Sequence, residues 1–460
     1  MPESRGCRRN PRKPSLSKVR LPKSRDVSCF WILARCRSPV NLCLVFVILC
    51  AFTWQAHPQA LPRGSTPTSE QGLEQRLREV RYGLSLEGGK LSGTAAPVLT
   101  SAIGDAQYIL IGEDHLTHEI PQITEAICNV VASQGLSGMA LETSPEAAEF
   151  VTRSLDAPDR WSRMVALTRE YPSSIAFMDD KQENDLVAHC AKVSNDPSFQ
   201  LWGLDQNFLG SAGWLIDQMF ATHPGPAADA ELLHLKSEEQ ADALRARQTG
   251  NYNDLFMIAV SDEELLRALS SIDKDGNSDT KKIFRELMQS HDIYAPRSRG
   301  INTDEKRATL LKHNFKHDLQ GAAKDGKPGK VIVKFGDSHL YKGMNPLHDL
   351  NLGDFIAEWA DGEGSTSLHI AVLGAKGKHR LLGRYGQPSK VEPFVLDEDS
   401  EYRWIAPMVA NQLPGEWTLY DLRKLRSERV TFPNADMERF IEGYDLLIII
   451  PELTPAELAN

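Results

Sequence analysis

Cysteine is scarce in this 460-residue chain and unevenly placed. Five of the seven cysteines lie within the first 50 residues, which leaves Cys128 and Cys190 for the rest of the sequence. Two cysteines exclude a disulfide-rich scaffold, and without a CxxC pair the usual cysteine zinc sites are excluded as well. The sequence leaves open whether Cys128 and Cys190 form a disulfide or remain two separate buried thiols.

An excess of positive charge is also lacking outside the N-terminus. Residues 1–39 hold eleven Lys and Arg against two acidic residues, so the rest of the chain carries a net charge of −19, although the whole chain carries −10. An acidic body lacks the basic surface that binds nucleic acid, so we expect no nucleic-acid partner. We expect neutral or cationic small molecules, or a bound cation, instead.

Long apolar runs are absent except for Val40–Ala51, which follows the basic segment. This run is shorter than the roughly 20 residues that a membrane-spanning helix needs. A basic segment, a short apolar run and small residues such as Ala56 and Ala60 behind it are typical of a signal peptide. We therefore predict export to the periplasm or the extracellular space. An uncleaved membrane anchor is the alternative, and membrane contact would be confined to this segment.

Beyond the leader, short apolar runs alternate with amphipathic segments. Strands are predicted at Tyr108–Ile111, Met139–Leu141, Leu201–Leu204, Val331–Phe335, His369–Leu373 and Leu446–Ile450. With helices between them, such runs predict an α/β fold in which a mainly parallel sheet has helices on both faces. We predict a leader over 1–60, a linker and a short helix over 61–97, the helix at Glu70–Leu86, and a single domain over 98–460. A helical insertion is expected at about 210–323.

Ionisable residues directly follow four of the predicted strands. They are Glu113, His115 and His118 after the first strand, Glu142 after the second, Asp205 after the third and His339 after the fourth. The carboxyl ends of parallel strands meet at one edge of a sheet, where ligands bind in open α/β folds. Carboxylates and imidazoles together can support general acid–base chemistry or hold a divalent metal that activates water.

Four segments carry a resemblance to a known superfamily. They read ILIGEDHLTHEIPQ, ALETSP, LWGLDQNFLGS and KFGDSHLYKGMNP, in this order. The set resembles the erythromycin esterase, ChaN and TraB/Tiki superfamily, whose members share a G-E-x-H type motif, a glutamate after the second strand and a late G-x-x-H motif. The resemblance extends to the segment that starts at Arg307, and it implies an α/β fold with helical additions.

The resemblance implies one of three activities. The erythromycin esterases hydrolyse a macrolactone with a histidine that activates water, the Tiki proteins are metal-dependent proteases, and ChaN binds haem. We expect an exported hydrolase that cleaves an ester or a related acyl bond. The alternatives are a non-catalytic haem- or metal-binding protein and a metal-dependent peptidase. The spacing of Glu113 and His115 is closer to ChaN than to the esterases, so a macrolide substrate is not implied.

The resemblance also implies roles for single residues. His115 would be the general base, Glu113 and Glu142 would orient it, and His339 would be the second imidazole. Arg307 would stabilise an anionic intermediate. In the metal-binding alternative the ligands would be Glu113, His115, Glu142, His339 and, more weakly, His118.

Overall fold

The structure, a computed structural model, describes residues 69–175, 177–322, 329–381, 383–426 and 431–459. The predicted leader, with its signal peptide or anchor, therefore lies outside the described residues, as does the start of the predicted linker. The described residues all belong to one structural unit, Ser65–Asn460. None of the helices in the described ranges is long and apolar enough to cross a bilayer.

The strands are β1 Arg81–Glu87, β2 Lys90–Ser92, β3 Tyr108–Glu113, β4 Leu136–Leu141, β5 Gln200–Gly203, β6 Lys330–Gly336, β7 Ser367–Gly374, β8 Lys376–Leu381, β9 Lys390–Val395, β10 Trp417–Asp421 and β11 Leu446–Ile450. Nine of them form one sheet in the order β2-β1-β10-β11-β7-β3-β6-β4-β5. The six strands from β11 to β5 pair in parallel, whereas β2, β1 and β10 pair antiparallel at one edge. Strands β8 and β9 form a separate antiparallel pair.

The helices are α1 Ser69–Glu79, α2 Ala95–Asp105, α3 Glu119–Ala132, α4 Pro145–Thr152, α5 Arg160–Glu170, α6 Lys181–Ser194, α7 Ala212–Ala221, α8 Pro226–Thr249, α9 Phe256–Ala259, α10 Asp262–Asp275, α11 Ser278–Ser298, α12 Asp304–Ala322, α13 Leu352–Gly362, α14 Ala406–Ala410, α15 Arg423–Arg426 and α16 Ala435–Gly443. The described residues between β5 and β6 contain helices α7 to α12 and no strand, at the place of the predicted insertion.

Two apolar cores lie on the two faces of the sheet. Side chains alternate between the faces of a strand, so Ile109 and Ile111 of β3 join one core while Tyr108 and Leu110 join the other. Helices α2, α3, α6 and much of the helical insertion contribute to the first core, and α1, α12, α13 and α16 contribute to the second. The predicted α/β class, with a mainly parallel sheet covered on both faces, is confirmed.

The prediction for residues 70–86 is wrong beyond Glu79. Helix α1 ends there, and β1 follows at Arg81 and pairs with β10, so a segment assigned to a linker and a helix belongs to the main sheet. The apolar residues of the segment RYGLSLE alternate with polar ones, a period of two that a strand requires. Tertiary pairing with β10, more than 330 residues away, decides the outcome.

Cys128 of α3 and Cys190 of α6 form a disulfide, with their Cα atoms 5.5 Å apart, which resolves the alternative that the sequence left open. The bond closes a chain separation of 62 residues. We expect replacement of both cysteines by alanine to lower the free energy of unfolding by about 2–4 kcal/mol, because the unfolded chain loses a cross-link. Urea unfolding with and without reductant measures this. Labelling of both thiols in the folded, untreated protein would contradict it.

Candidate active site

Four neighbouring strands bring their carboxyl ends to one edge of the sheet. Glu113 is the last residue of β3, and Glu142 directly follows β4. Asp205 lies just beyond β5, and His339 closes a 3₁₀ turn that follows β6. Because β3, β6, β4 and β5 are adjacent in this order, residues far apart in the sequence meet in one group. The structure places the ionisable residues that follow these four strands together at one edge of the sheet, as the sequence predicts.

Glu142 is the centre of this group. One of its oxygens, Oε2, accepts a hydrogen bond from the Gly336 backbone N–H at 2.7 Å and lies 3.2 Å from His115 Nε2. The other, Oε1, accepts from Arg307 Nη2 at 2.7 Å and lies 3.5 Å from His339 Nε2. Burial opposes the charge of this carboxylate, but the surrounding imidazoles and guanidinium outweigh burial and hold the pKa of Glu142 well below its usual range.

His115 lies between two carboxylates. Its Nδ1 is 3.0 Å from Glu113 Oε1, and its Nε2 faces Glu142, so both ring nitrogens can donate only when the ring is protonated. Burial lowers the pKa of His115, but the charge of Glu142 and the hydrogen bonds to both carboxylates raise it to about 10. A Cβ atom at Gly336 would lie only 2.8 Å from His115 Nε2, so the close approach requires glycine there. His115 is an imidazolium at neutral pH.

His339 has the opposite protonation state from His115. Its Nε2 accepts a hydrogen bond from Arg307 Nη1 at 3.1 Å, and its Nδ1 lies 3.2 Å from Asn351 Oδ1. The Asn351 amide is oriented because its Nδ2 donates to Asp349 Oδ2, which leaves the oxygen to accept from Nδ1. Burial and the Arg307 charge lower the pKa of His339. His339 is therefore neutral, with the proton on Nδ1 and a lone pair on Nε2.

Arg307, in the first turn of α12, joins His339 and Glu142 to a second carboxylate, Asp205. Its Nε donates to Asp205 Oδ1 at 3.0 Å and its Nη2 to Asp205 Oδ2, while Nη2 also reaches Glu142. Burial acts against the guanidinium, but Asp205 and Glu142 raise its pKa well above the usual value. The planar fork of arginine is suited to hold two carboxylates at once.

A buried lysine lies behind the imidazolium. Lys334 of β6 is 2% exposed, and its Nζ contacts Glu113 Oε2 at 2.5 Å and Glu183 Oε1 of α6. Burial acts against the charge on Glu113, but Lys334 and His115 outweigh it, so the pKa of Glu113 is lowered. Burial raises the pKa of Glu183 to about 7 even beside the ammonium. Lys334 thus fixes the carboxylate that orients His115.

The C-terminal segment holds the loop that carries His115. The His118 backbone N–H donates to Thr454 O, and the Ala456 N–H donates to Leu116 O, both at 2.9 Å. The same segment bonds to the neighbouring loop, because the Ala459 N–H donates to Asp179 O. That second loop presents Phe177, whose ring stacks on His115 with centroids 3.9 Å apart.

A cavity of about 200 Å³ adjoins this group, and we call it the Arg307 cavity. Arg307, Glu142 and Asp205 line it, and so does Phe177, whose ring stacks on His115. Phe177 has a φ of +62°, a region that bulky residues rarely occupy and that occurs most often at functional sites. The volume is below that of a pocket for a whole drug-sized ligand, so it suits part of a substrate.

The donor set does not fit a divalent metal. The carboxylates of Glu113, Glu142 and Asp205 already face Lys334, Arg307 or His115, so a cation would have to displace these charges. Within the described ranges, the residues that bring three ligand atoms within 4.8 Å of one another are His234, Glu238 and Glu264, on the surface of α8 and α10. Haem fits no better, because the Arg307 cavity is small and both nitrogens of each site imidazole are engaged.

The predicted residues do not all belong to the group. Glu113, His115, Glu142, His339 and Arg307 lie together, whereas His118 bonds to Gln122 on the exposed start of α3. Sequence reasoning singled out Asp205 without giving it a role and missed Lys334, Glu183, Phe177 and Asn351. A lysine inside the apolar run VIVKF was a usable signal for Lys334, because buried lysine requires a partner.

The fold and the site together define an α/β protein with a histidine, glutamate and arginine site at the carboxyl edge of a parallel sheet. Three solved structures share this fold. A mutant of the erythromycin esterase EreC in its open conformation is 14% identical, with a TM-score of 0.56, over 83% of this chain and 99% of the other. A Bacillus cereus protein and a succinoglycan biosynthesis protein are each 15% identical, with a TM-score of 0.53, over 85% of this chain and 100% of theirs.

No protein-family model matches this chain, and no curated protein sequence does. The predicted erythromycin-esterase-like fold is nevertheless confirmed by the structural neighbours.

Proposed function

We propose that this protein is an exported hydrolase that cleaves an ester or a related acyl bond with histidine-activated water. One observation carries the proposal: two imidazoles in opposite protonation states flank the same carboxylate, Glu142, beside a guanidinium and a cavity. A pair of titratable groups whose pKa values are displaced in opposite directions is the usual arrangement for general acid–base catalysis.

The neutral His339 is the general base in this proposal, and His115 is the general acid. Nε2 of His339 carries a lone pair at neutral pH, whereas a His115 with a pKa of about 10 is almost fully protonated and can donate. The resemblance to the esterases implied that His115 would be the base. The displacement of the two pKa values favours exchanging these roles.

The reaction then balances as follows. Water adds to the acyl carbon after displacing Arg307 Nη1 from His339 Nε2, which takes the water's proton, and an N–H of Arg307 Nη1 donates to the oxygen that becomes negative. The bond to the leaving oxygen breaks as His115 gives that oxygen a proton. The products are a carboxylic acid and an alcohol, and exchange with solvent restores both imidazoles.

Export is the second part of the proposal. The disulfide between Cys128 and Cys190 supports it, because disulfides persist in oxidising compartments outside the cytoplasm. The basic and apolar N-terminal sequence is typical of a signal peptide. Determining the N-terminal residue of the protein recovered from the producing cells tests it. A start at Met1 would contradict cleavage.

Esters of small neutral alcohols should be hydrolysed, and both His115→Gln and His339→Gln should lower kcat/KM by about 10²–10⁴-fold, the usual contribution of general acid–base groups. Rates on a panel of acetyl and butyryl esters measure this. His317→Gln is the matched control, because the His317 side chain is 80% exposed on α12. Equal turnover by the wild type and both site variants would contradict the proposal.

The pH dependence of kcat/KM distinguishes the two imidazoles. The rate should rise with pH only until His339 loses its proton, below the usual histidine pKa of 6.5, and should fall once His115 loses its proton near pH 10. A plateau should therefore span neutral to mildly alkaline pH. If His115 were the base instead, the rate would increase about tenfold for each pH unit between pH 7 and 9. Rates corrected for spontaneous ester hydrolysis decide between the two.

A further inference from the structure

The lining of the Arg307 cavity combines polar and apolar surface, and each of its charged side chains is already paired. The acidic side chains in the lining, Glu142 and Asp205, both contact Arg307, and Glu142 also faces the His115 imidazolium. Arg297 is paired outward with Asp304, and Arg307 is held by both lining carboxylates. A charged ligand would be repelled by the lining side chains of its own charge and would have to break an existing ion pair to reach those of opposite charge. The paired charges therefore favour a neutral ligand.

Three aromatic rings also line the cavity, those of Phe177, Phe208 and Tyr294. Aromatic faces provide flat, rigid, apolar contact surface at little entropic cost. Phe177 stacks on His115 as well, so the side chain that a bound ring would contact also contacts the proposed acid. Flat apolar faces next to polar side chains suit a ligand that is itself a ring with apolar faces and a polar rim.

Three polar atoms without hydrogen-bond partners among the described residues, in residues that line the cavity, favour a ligand with hydroxyl groups. Thr143 Oγ1, Ser174 Oγ and Gln206 Oε1 are buried and have no hydrogen-bond partner within the part of the chain that the structure describes. All three residues line the cavity and are at least nine-tenths buried. Gln206 Nε2 already donates to the Tyr294 hydroxyl, which leaves its oxygen in need of a donor. The three atoms have almost no accessible surface, so a ligand hydroxyl reaches the Thr143 or Ser174 oxygen once that side chain rotates about its Cα–Cβ bond.

We propose that the Arg307 cavity is the subsite for a neutral, hydroxyl-bearing ring, such as a monosaccharide or cyclic polyol unit, carried by the ester substrate. This inference rests on the proposed hydrolase function and names the part of the substrate that determines specificity. A site built to bond substrate hydroxyls discriminates strongly against an analogue that lacks them, because its own buried polar groups are then left unpaired.

Matched esters test the subsite. The wild type should hydrolyse 6-O-acetylglucose at least 100-fold more efficiently, in kcat/KM, than acetylated cyclohexylmethanol, which has a similar ring without hydroxyls. Thr143→Val and Ser174→Ala should reduce this ratio at least tenfold, because the rate on the acetylglucose falls much more than the rate on the cyclohexyl ester. Thr124→Val is the matched control, because the Thr124 hydroxyl is bonded within α3 to Ile120 O. A ratio near one in the wild type, or equal loss on both esters, would overturn the subsite.

Two further measurements, the melting temperature and the binding of a non-hydrolysable sugar, separate the subsite from effects on folding and on catalysis. Because Thr143→Val removes a buried hydroxyl that has no partner, its melting temperature should equal or exceed that of the wild type, and a clear decrease would overturn the assignment. Methyl glucoside should bind the wild type, as followed by ligand-observed NMR, and should bind Thr143→Val at least tenfold more weakly. Such binding without hydrolysis of any ester would support the subsite and refute the hydrolase. Ester hydrolysis without glucoside binding and without a preference for the acetylglucose would support the hydrolase and refute the subsite.

Discussion

Replacement of Glu142 by glutamine should abolish ester hydrolysis and lower the free energy of unfolding by about 3–5 kcal/mol, the usual cost of breaking a buried ion pair. The amide keeps the shape of the side chain but removes the charge that His115 and Arg307 share. Its NH₂ group also faces a donor, either the Gly336 N–H or the Arg307 guanidinium. Both the catalytic and the structural functions of the group therefore depend on this one carboxylate.

The same variant should change the titration of His115. Glu142 is the largest of the influences that raise the pKa of His115 to about 10, so this pKa should fall in Glu142→Gln. NMR titration of the histidine, urea unfolding at pH 7 and ester hydrolysis measure the three effects. Glu149→Gln is the control, because Glu149 is 62% exposed in a surface pair whose loss should cost at most about 1 kcal/mol. Activity within tenfold of the wild type would contradict the central role of Glu142.

Replacement of Lys334 by methionine should destabilise the protein by about 3–5 kcal/mol at pH 8, because two buried carboxylates lose their shared cation. Glu113 and Glu183 both contact the Lys334 ammonium, and the pKa of Glu183 is already about 7 with the cation present. Without it, the folded-state pKa of Glu183 should rise further above the unfolded value, and that of Glu113 should rise from its lowered value. The folded variant then binds protons that the unfolded chain does not.

This sign determines the pH dependence of Lys334→Met. A carboxyl whose pKa is raised by folding loses stability as the pH rises from its unfolded to its folded pKa. The deficit relative to the wild type should therefore be smaller at pH 5 than at pH 8, as measured by urea unfolding at both values. Lys282→Met, at a lysine that is 62% exposed, should show almost no deficit at either pH. An equal deficit at both pH values would mean that lost packing, and not the unpaired carboxylates, is responsible.

Strand ends were the part of the site that the sequence could reveal. Apolar runs with ionisable residues directly behind them are local patterns, and the carboxyl ends of parallel strands lie at one edge by geometry. Glu113, Glu142 and His339 were found in this way, and the resemblance added Arg307. The strand β1 was missed for the opposite reason, since its partner β10 lies more than 330 residues away and its own pattern is short.

The protonation states of the site residues could not be predicted from local sequence patterns. His115 and His339 are both histidines that follow similar strands, but one lies between two carboxylates and the other faces a guanidinium and an amide. Their pKa values are displaced in opposite directions for this reason alone. In the sequence, Lys334 is likewise only a polar residue in an apolar strand. Its role follows from its contact with Glu183 of α6, which only the fold brings next to it.

The sequence by itself determined the α/β class, the positions of the six parallel strands and the acidic balance of the body, because these depend on composition and on short-range periodicity. Only the tertiary structure decided the pairing of Cys128 with Cys190, the protonation states of His115 and His339, and the pairing of the charged side chains that line the Arg307 cavity. Each of these depends on charges or thiols that the fold brings together from distant segments. The net charge of −19 outside residues 1–39 did not determine the charge at the site, where cationic side chains face the carboxylates individually.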